Sequence, residues 1–116
     1  MKKLTLFLLL VFLFTIPAYV YAHPPQDITI TYGPAAKILK AVITHHVSNP
    51  TSHYINKVAI GLNGKDIVEQ AISRQAHNDT QTVTYLIPDA KAGDTLSVEA
   101  YCSISGKLKK ETKVAA

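Results

Sequence analysis

Tyr54-Ile55-Asn56-Lys57-Val58-Ala59-Ile60-Gly61-Leu62, then Asn63-Gly64, then Lys65-Asp66-Ile67-Val68-Glu69-Gln70-Ala71 is the stretch that decides the fold. An Asn-Gly pair accepts positive φ at both central positions of a two-residue turn, the geometry that joins two twisted antiparallel strands. The strand before it is read from His53 to Leu62, with Tyr54, Val58, Ile60 and Leu62 on its inner face. Lys65 to Ala71 then returns antiparallel. Working outward, apolar and polar residues alternate with period two on both sides of this hairpin, the signature of half-buried strands. Ile28, Ile30 and Tyr32 mark a first strand ending at Gly33-Pro34, and Lys37 to Val47 follows with Leu39, Ala41, Ile43, His45 and Val47 on one side. Beyond a polar loop from Ser73 to Thr80, strands are expected at Thr82–Ile87, Thr95–Ser103 and Leu108–Val114, with turns at Pro88–Gly93 and Ser105-Gly106-Lys107. No amphipathic helix interrupts them. About seven short strands with frequent turn signals predict an all-β fold, an immunoglobulin-like antiparallel β-sandwich.

The first 22 residues read differently from the rest. Lys2 and Lys3 precede an apolar run from Leu4 to Ile16, Pro17 breaks it, and Val20-Tyr21-Ala22 fits a signal peptidase site before His23. The run is short for a membrane span, which needs about 20 residues. With no cysteine near the cleavage site, a lipid anchor is not expected. The reading is a cleaved secretory signal over 1–22 and one domain over 23–116, exported from a bacterial cell to the periplasm or beyond. No membrane attachment is expected after cleavage. Loss of Lys2 and Lys3 from the twelve basic side chains lowers the net charge from +4 to about +2. No arginine or aromatic stripe suggests nucleic acid. Lys107, Lys109 and Lys110 fit an outward-facing strand that guards a sheet edge. No nucleophile elbow, phosphate loop or carboxylate pair supports hydrolase chemistry.

The chemistry-bearing residues are histidines and one thiol. Cys102 is the single cysteine, and four of the five histidines fall from His23 to His53. Thiolate and imidazole together suit iron, copper or zinc rather than magnesium or calcium. His45 and His46 close one strand and His53 opens the next. Adjacent strand residues face opposite sides, so His45 and His46 are not expected on one ion together without a bulge. Cys102 shares its parity with Leu96, Val98, Ala100 and Ile104, which also fits a core filler. Once the leader is removed, His23 would carry a free α-amine beside its imidazole, a pair able to chelate copper as a histidine brace. His77, in Arg74-Gln75-Ala76-His77-Asn78-Asp79, reads as solvated.

Three segments in order resemble the iron domain of the superoxide reductase family, also called desulfoferrodoxin or neelaredoxin. They are His23-Pro24-Pro25 with its following strand, Asn49-Pro50-Thr51-Ser52-His53-Tyr54-Ile55, and Ala100-Tyr101-Cys102-Ser103-Ile104-Ser105-Gly106. The resemblance implies an immunoglobulin-like barrel holding ferrous iron by four equatorial histidines and an axial cysteine thiolate. Superoxide would be reduced to hydrogen peroxide at the open sixth position, with an external electron donor. It assigns His23 as the first histidine, His53 as the third and Cys102 as the thiolate. Departures accompany it. Asn49 stands where the family has its second histidine, Ser105 where it has its fourth, and Ala22 where a lysine is common. His45 or His46 is available to replace the second, and the α-amine of His23 to replace the fourth. The expected metal ligands are thus His23, His46, His53 and Cys102, with iron as the metal and copper as the alternative. A periplasmic copper or iron carrier and a metal-free immunoglobulin-like binding module are the competing readings. Self-association is left open.

Overall fold

The computed structural model describes residues 23–116. The expected secretory signal over 1–22 lies outside the described residues. Among the described residues seven strands follow one another: β1 (Asp27–Gly33), β2 (Ile38–Thr44), β3 (Ile55–Leu62), β4 (Lys65–Ala71), β5 (Thr80–Leu86), β6 (Thr95–Cys102) and β7 (Lys107–Lys113). They form a three-stranded sheet of order β1-β2-β5 and a four-stranded sheet of order β4-β3-β6-β7. Every pairing is antiparallel. Consecutive strands cross between sheets at β2 to β3, β4 to β5 and β5 to β6, the Greek-key manner of immunoglobulin-like sandwiches. The predicted fold class is the observed one.

The turn that decided the reading forms as expected. Asn63 and Gly64 adopt φ of 51° and 86°, and Leu62 pairs with Lys65 across them. The core lies between the sheets. Leu39, Ala41 and Ile43 of β2 meet Ile55, Val58 and Ile60 of β3 and Leu96, Val98 and Ala100 of β6. Removing such a side chain costs lost transfer energy plus a residual cavity, which sets the scale of any core substitution.

Two departures from simple alternation shape one end of the sandwich. In the β3–β6 ladder Ile55 opposes Cys102 while Lys57 opposes Tyr101, so Asn56 is an extra residue on β3. This bulge inverts the parity before it. Ile55 is fully buried, and Tyr54, expected on the inner face, is only half-buried. A bulge re-aims the side chains beside it, and here the inward parity passes to Ile55 and, two residues earlier, to His53.

The second departure is at the end of β2. Regular pairing stops at Thr44, short of the expected Val47. The backbone nonetheless keeps its partners, because His45 N–H donates to the Asp79 carbonyl at 2.9 Å and Val47 N–H to that of Asn78 at 2.7 Å. The alternation therefore continues past the strand, and His45 and Val47 are both buried.

Candidate metal centre

Three imidazoles converge at this end of the sandwich. His45 leaves β2, His53 precedes β3, and His23 sits on the arm before β1. The arm is held at several points. Gln26 N–H donates to the Thr44 carbonyl at 2.8 Å, one step beyond the β1–β2 ladder, and Gln26 Oε1 accepts from His46 N–H at 3.2 Å. Pro25 is buried, and Pro24 packs on the β6–β7 turn so closely that a Cβ on Gly106 would lie 2.8 Å from its ring. Gly106 has φ of 83°, so its lack of a side chain serves both the turn and the packing of the arm.

The ring centroids are 4.9 Å apart for His23 and His45, 5.0 Å for His23 and His53, and 4.8 Å for His45 and His53. All three pairs meet edge to face, with interplanar angles of 62°, 61° and 86°. One ligand nitrogen from each ring lies within 4.8 Å of the others. Metal–nitrogen bonds of about 2.1 Å in a tetrahedron separate nitrogens by roughly 3.4 Å, so modest ring rotation would bring the three onto one ion.

Hydrogen bonding identifies the nitrogen that His45 offers. Gln75 is fully buried, and its Nε2 donates to the carbonyls of His45 at 2.7 Å and His77 at 2.8 Å. Those partners can only accept, so the amide orientation is settled and Oε1 is the acceptor. Oε1 takes the Ile55 N–H at 3.2 Å and lies 2.8 Å from His45 Nδ1. Nδ1 must therefore carry the proton, and in the neutral ring Nε2 carries the lone pair. Burial lowers the His45 pKa from 6.5, outweighing the hydrogen bonds to Gln75 and to the His23 carbonyl that oppose it. Its Nε2 lies 3.4 Å from the His23 carbonyl oxygen, which in the neutral Nδ1–H ring sets a lone pair against an acceptor.

His53 contributes a second sign of the same kind. Its Nε2 is buried with no hydrogen-bond partner among the described residues. An unsatisfied buried polar group costs about 1–3 kcal/mol. Its pKa is also lowered, by desolvation first and then by the neighbouring His45 and His23. The His23 nitrogens lie against the carbonyls of Pro24 at 2.9 Å and His46 at 2.8 Å. A neutral imidazole has one N–H, so in that state one His23 nitrogen keeps a lone pair. Above the rings a cleft of about 540 Å³ opens to solvent, lined by His23, Gln26, His46, Val47, Ser48 and His53.

Of the residues expected as ligands, His23 and His53 stand in this cluster. His46 is exposed, and its Nδ1 lies 3.0 Å from Asp79 Oδ1 at the cleft rim. The imidazole that joins His23 and His53 is His45. Cys102 is buried at the end of β6, where its Sγ accepts the Ile104 N–H at 3.5 Å, and it is not one of the mutually close ligand groups. Its segment is nonetheless tied to that of His53. Ser103 N–H donates to the Tyr54 carbonyl at 2.8 Å, and Tyr54 N–H to Ser103 Oγ at 3.1 Å. His77 is exposed, as expected. Gln75 was hidden in the sequence, since an amide in a polar loop carries no signal of burial. No protein-family model matches the chain, and no curated protein matches it.

Proposed function

We propose that this chain is an exported protein that binds one first-row transition-metal ion through His23, His45 and His53. The observation that carries the reading is the convergence of three imidazoles in which the buried His53 Nε2 has no hydrogen-bond partner among the described residues. Gln75 makes His45 Nε2 a lone pair, and His53 Nε2 lies beside it unsatisfied. A cation among the rings would give both lone pairs a partner. Imidazole donors suit zinc, copper, iron and nickel. The cleft leaves one side for an exchangeable ligand, as a carrier or a redox site requires. Export rests on the leader-like character of residues 1–22.

The finer reading is a superoxide-reductase-like iron site, reducing superoxide to hydrogen peroxide with one electron from an external donor and two protons. What supports it is the interlocking of Tyr54 with Ser103, which brings together the two segments that most resemble that family. Cys102 lies at this junction and would have to turn its sulfur from the Ile104 N–H to the metal. A copper or iron carrier needs only the three imidazoles.

Metal analysis and an optical spectrum of the anaerobically purified protein separate these readings. One iron per chain, with a thiolate-to-ferric charge-transfer band lost in Cys102→Ser, supports the reductase. One copper or iron per chain with binding unchanged by Cys102→Ser supports the carrier. A chain that takes up no transition metal on reconstitution overturns both.

A further inference from the structure

We infer that Gln75 is a positioning residue for the metal site, fixing His45 as an Nε2 ligand by holding its Nδ1 proton. The inference rests on the proposed metal centre, although the tautomer it assigns is a property of the apo protein. Gln75 is fully buried and uses both ends of its amide. Nε2 grips the carbonyls of His45 and His77, while Oε1 receives Ile55 N–H and His45 Nδ1–H. One side chain thus joins the exit of β2, the loop before β5 and the first residue of β3. Its own backbone N–H donates to the Pro50 carbonyl at 3.1 Å, which fastens the connection leading to His53.

Groups that hold the second nitrogen of a histidine ligand commonly set its tautomer and orientation, and their loss costs about 10–100-fold in metal affinity. A neutral amide does this here without bringing a charge into the core. Glutamate would keep an acceptor for His45 Nδ1–H and lose both donations to carbonyls. Leucine would lose all four side-chain hydrogen bonds. The two substitutions therefore separate holding the proton from holding the loops.

The test is ¹⁵N NMR of the histidine rings in the full chain, before and after addition of zinc, in the wild type, Gln75→Glu and Gln75→Leu. In the wild-type apo protein His45 is expected as a single Nδ1–H tautomer, and zinc is expected to shift Nε2. Gln75→Glu is expected to keep that tautomer. Gln75→Leu, where folded, is expected to mix the tautomers and weaken zinc binding about 10–100-fold. An Nε2–H tautomer in the wild type, or zinc on Nδ1, overturns the inference even if the leucine variant does not fold. A folded leucine variant with the wild-type tautomer and affinity overturns it too. A wild type that keeps the assigned tautomer yet ignores zinc overturns the metal reading and leaves the tautomer assignment standing.

Discussion

Neighbouring residues have opposite fates at the end of β2. His45 is buried among two other imidazoles, while His46 faces solvent and Asp79. Period-two alternation in the sequence already placed His45 with Leu39, Ala41 and Ile43. The loop geometry that would choose between His45 and His46 was not visible, because it depends on where the chain after β2 finds its backbone partners. His45→Ala or His53→Ala should weaken zinc or copper binding by at least about 100-fold, the upper range for outer groups alone. His46→Ala should change it by less than about threefold, since its exposed pair with Asp79 contributes little. Calorimetric titration of the folded variants checks both.

Proton linkage follows from the same residues. The folded-state pKa values of His45 and His53 lie below 6.5, so the unfolded chain binds more protons as pH falls through that value. Stability of the apo protein should be retained above pH 6.5 and decline as pH drops toward the lowered values. Denaturant melts between pH 5 and pH 8 measure this. His45→Ala and His53→Ala should each flatten the acidic slope. Metal binding should weaken over the same interval, because protons compete for the same lone pairs.

Among the elements, the β3–β4 hairpin was fully readable, since Asn63-Gly64 states its own turn geometry. The start of β3 was not. One extra residue at Asn56 exchanges Tyr54 for Ile55 in the core, and nothing in the local alternation marks where a bulge falls. The three-histidine site was readable only in part, because that bulge and the buried Gln75 both act through contacts far along the chain. The arm carrying His23 depends on another such contact. Gly106→Ala would place a Cβ 2.8 Å from the Pro24 ring and strain a left-handed turn. It should destabilise the fold by about 1–3 kcal/mol and lower metal affinity by displacing His23. Denaturant melts and a zinc titration of the same variant check the two effects together. A variant destabilised by this amount with unchanged affinity would show that Pro24 does not govern the placement of His23.

At the scale of the whole molecule, two sheets bury one thin core, and the histidines close one end of it. Such a small domain has limited stability of its own. A ligand that binds only the folded state adds about 2.7 kcal/mol at a concentration 100 times its Kd. For a domain of this size that corresponds to a rise in Tm of about 10–20 °C. Calorimetric melts with zinc should show this rise, with reversal by chelator and loss in His53→Ala. The sandwich was evident from the sequence because its strands alternate locally. The site was harder to see because the arm before β1, the β2–β3 connection and, through Gln75, the β4–β5 connection meet only after both sheets have packed.

The most direct test of the central claim is metal stoichiometry by elemental analysis of the reconstituted protein, comparing wild type, His45→Ala and His46→Ala after desalting. One ion per chain in the wild type and in His46→Ala, with none retained by His45→Ala, is the predicted result. No ion in the wild type, or loss in His46→Ala with retention in His45→Ala, would contradict the site built from His23, His45 and His53.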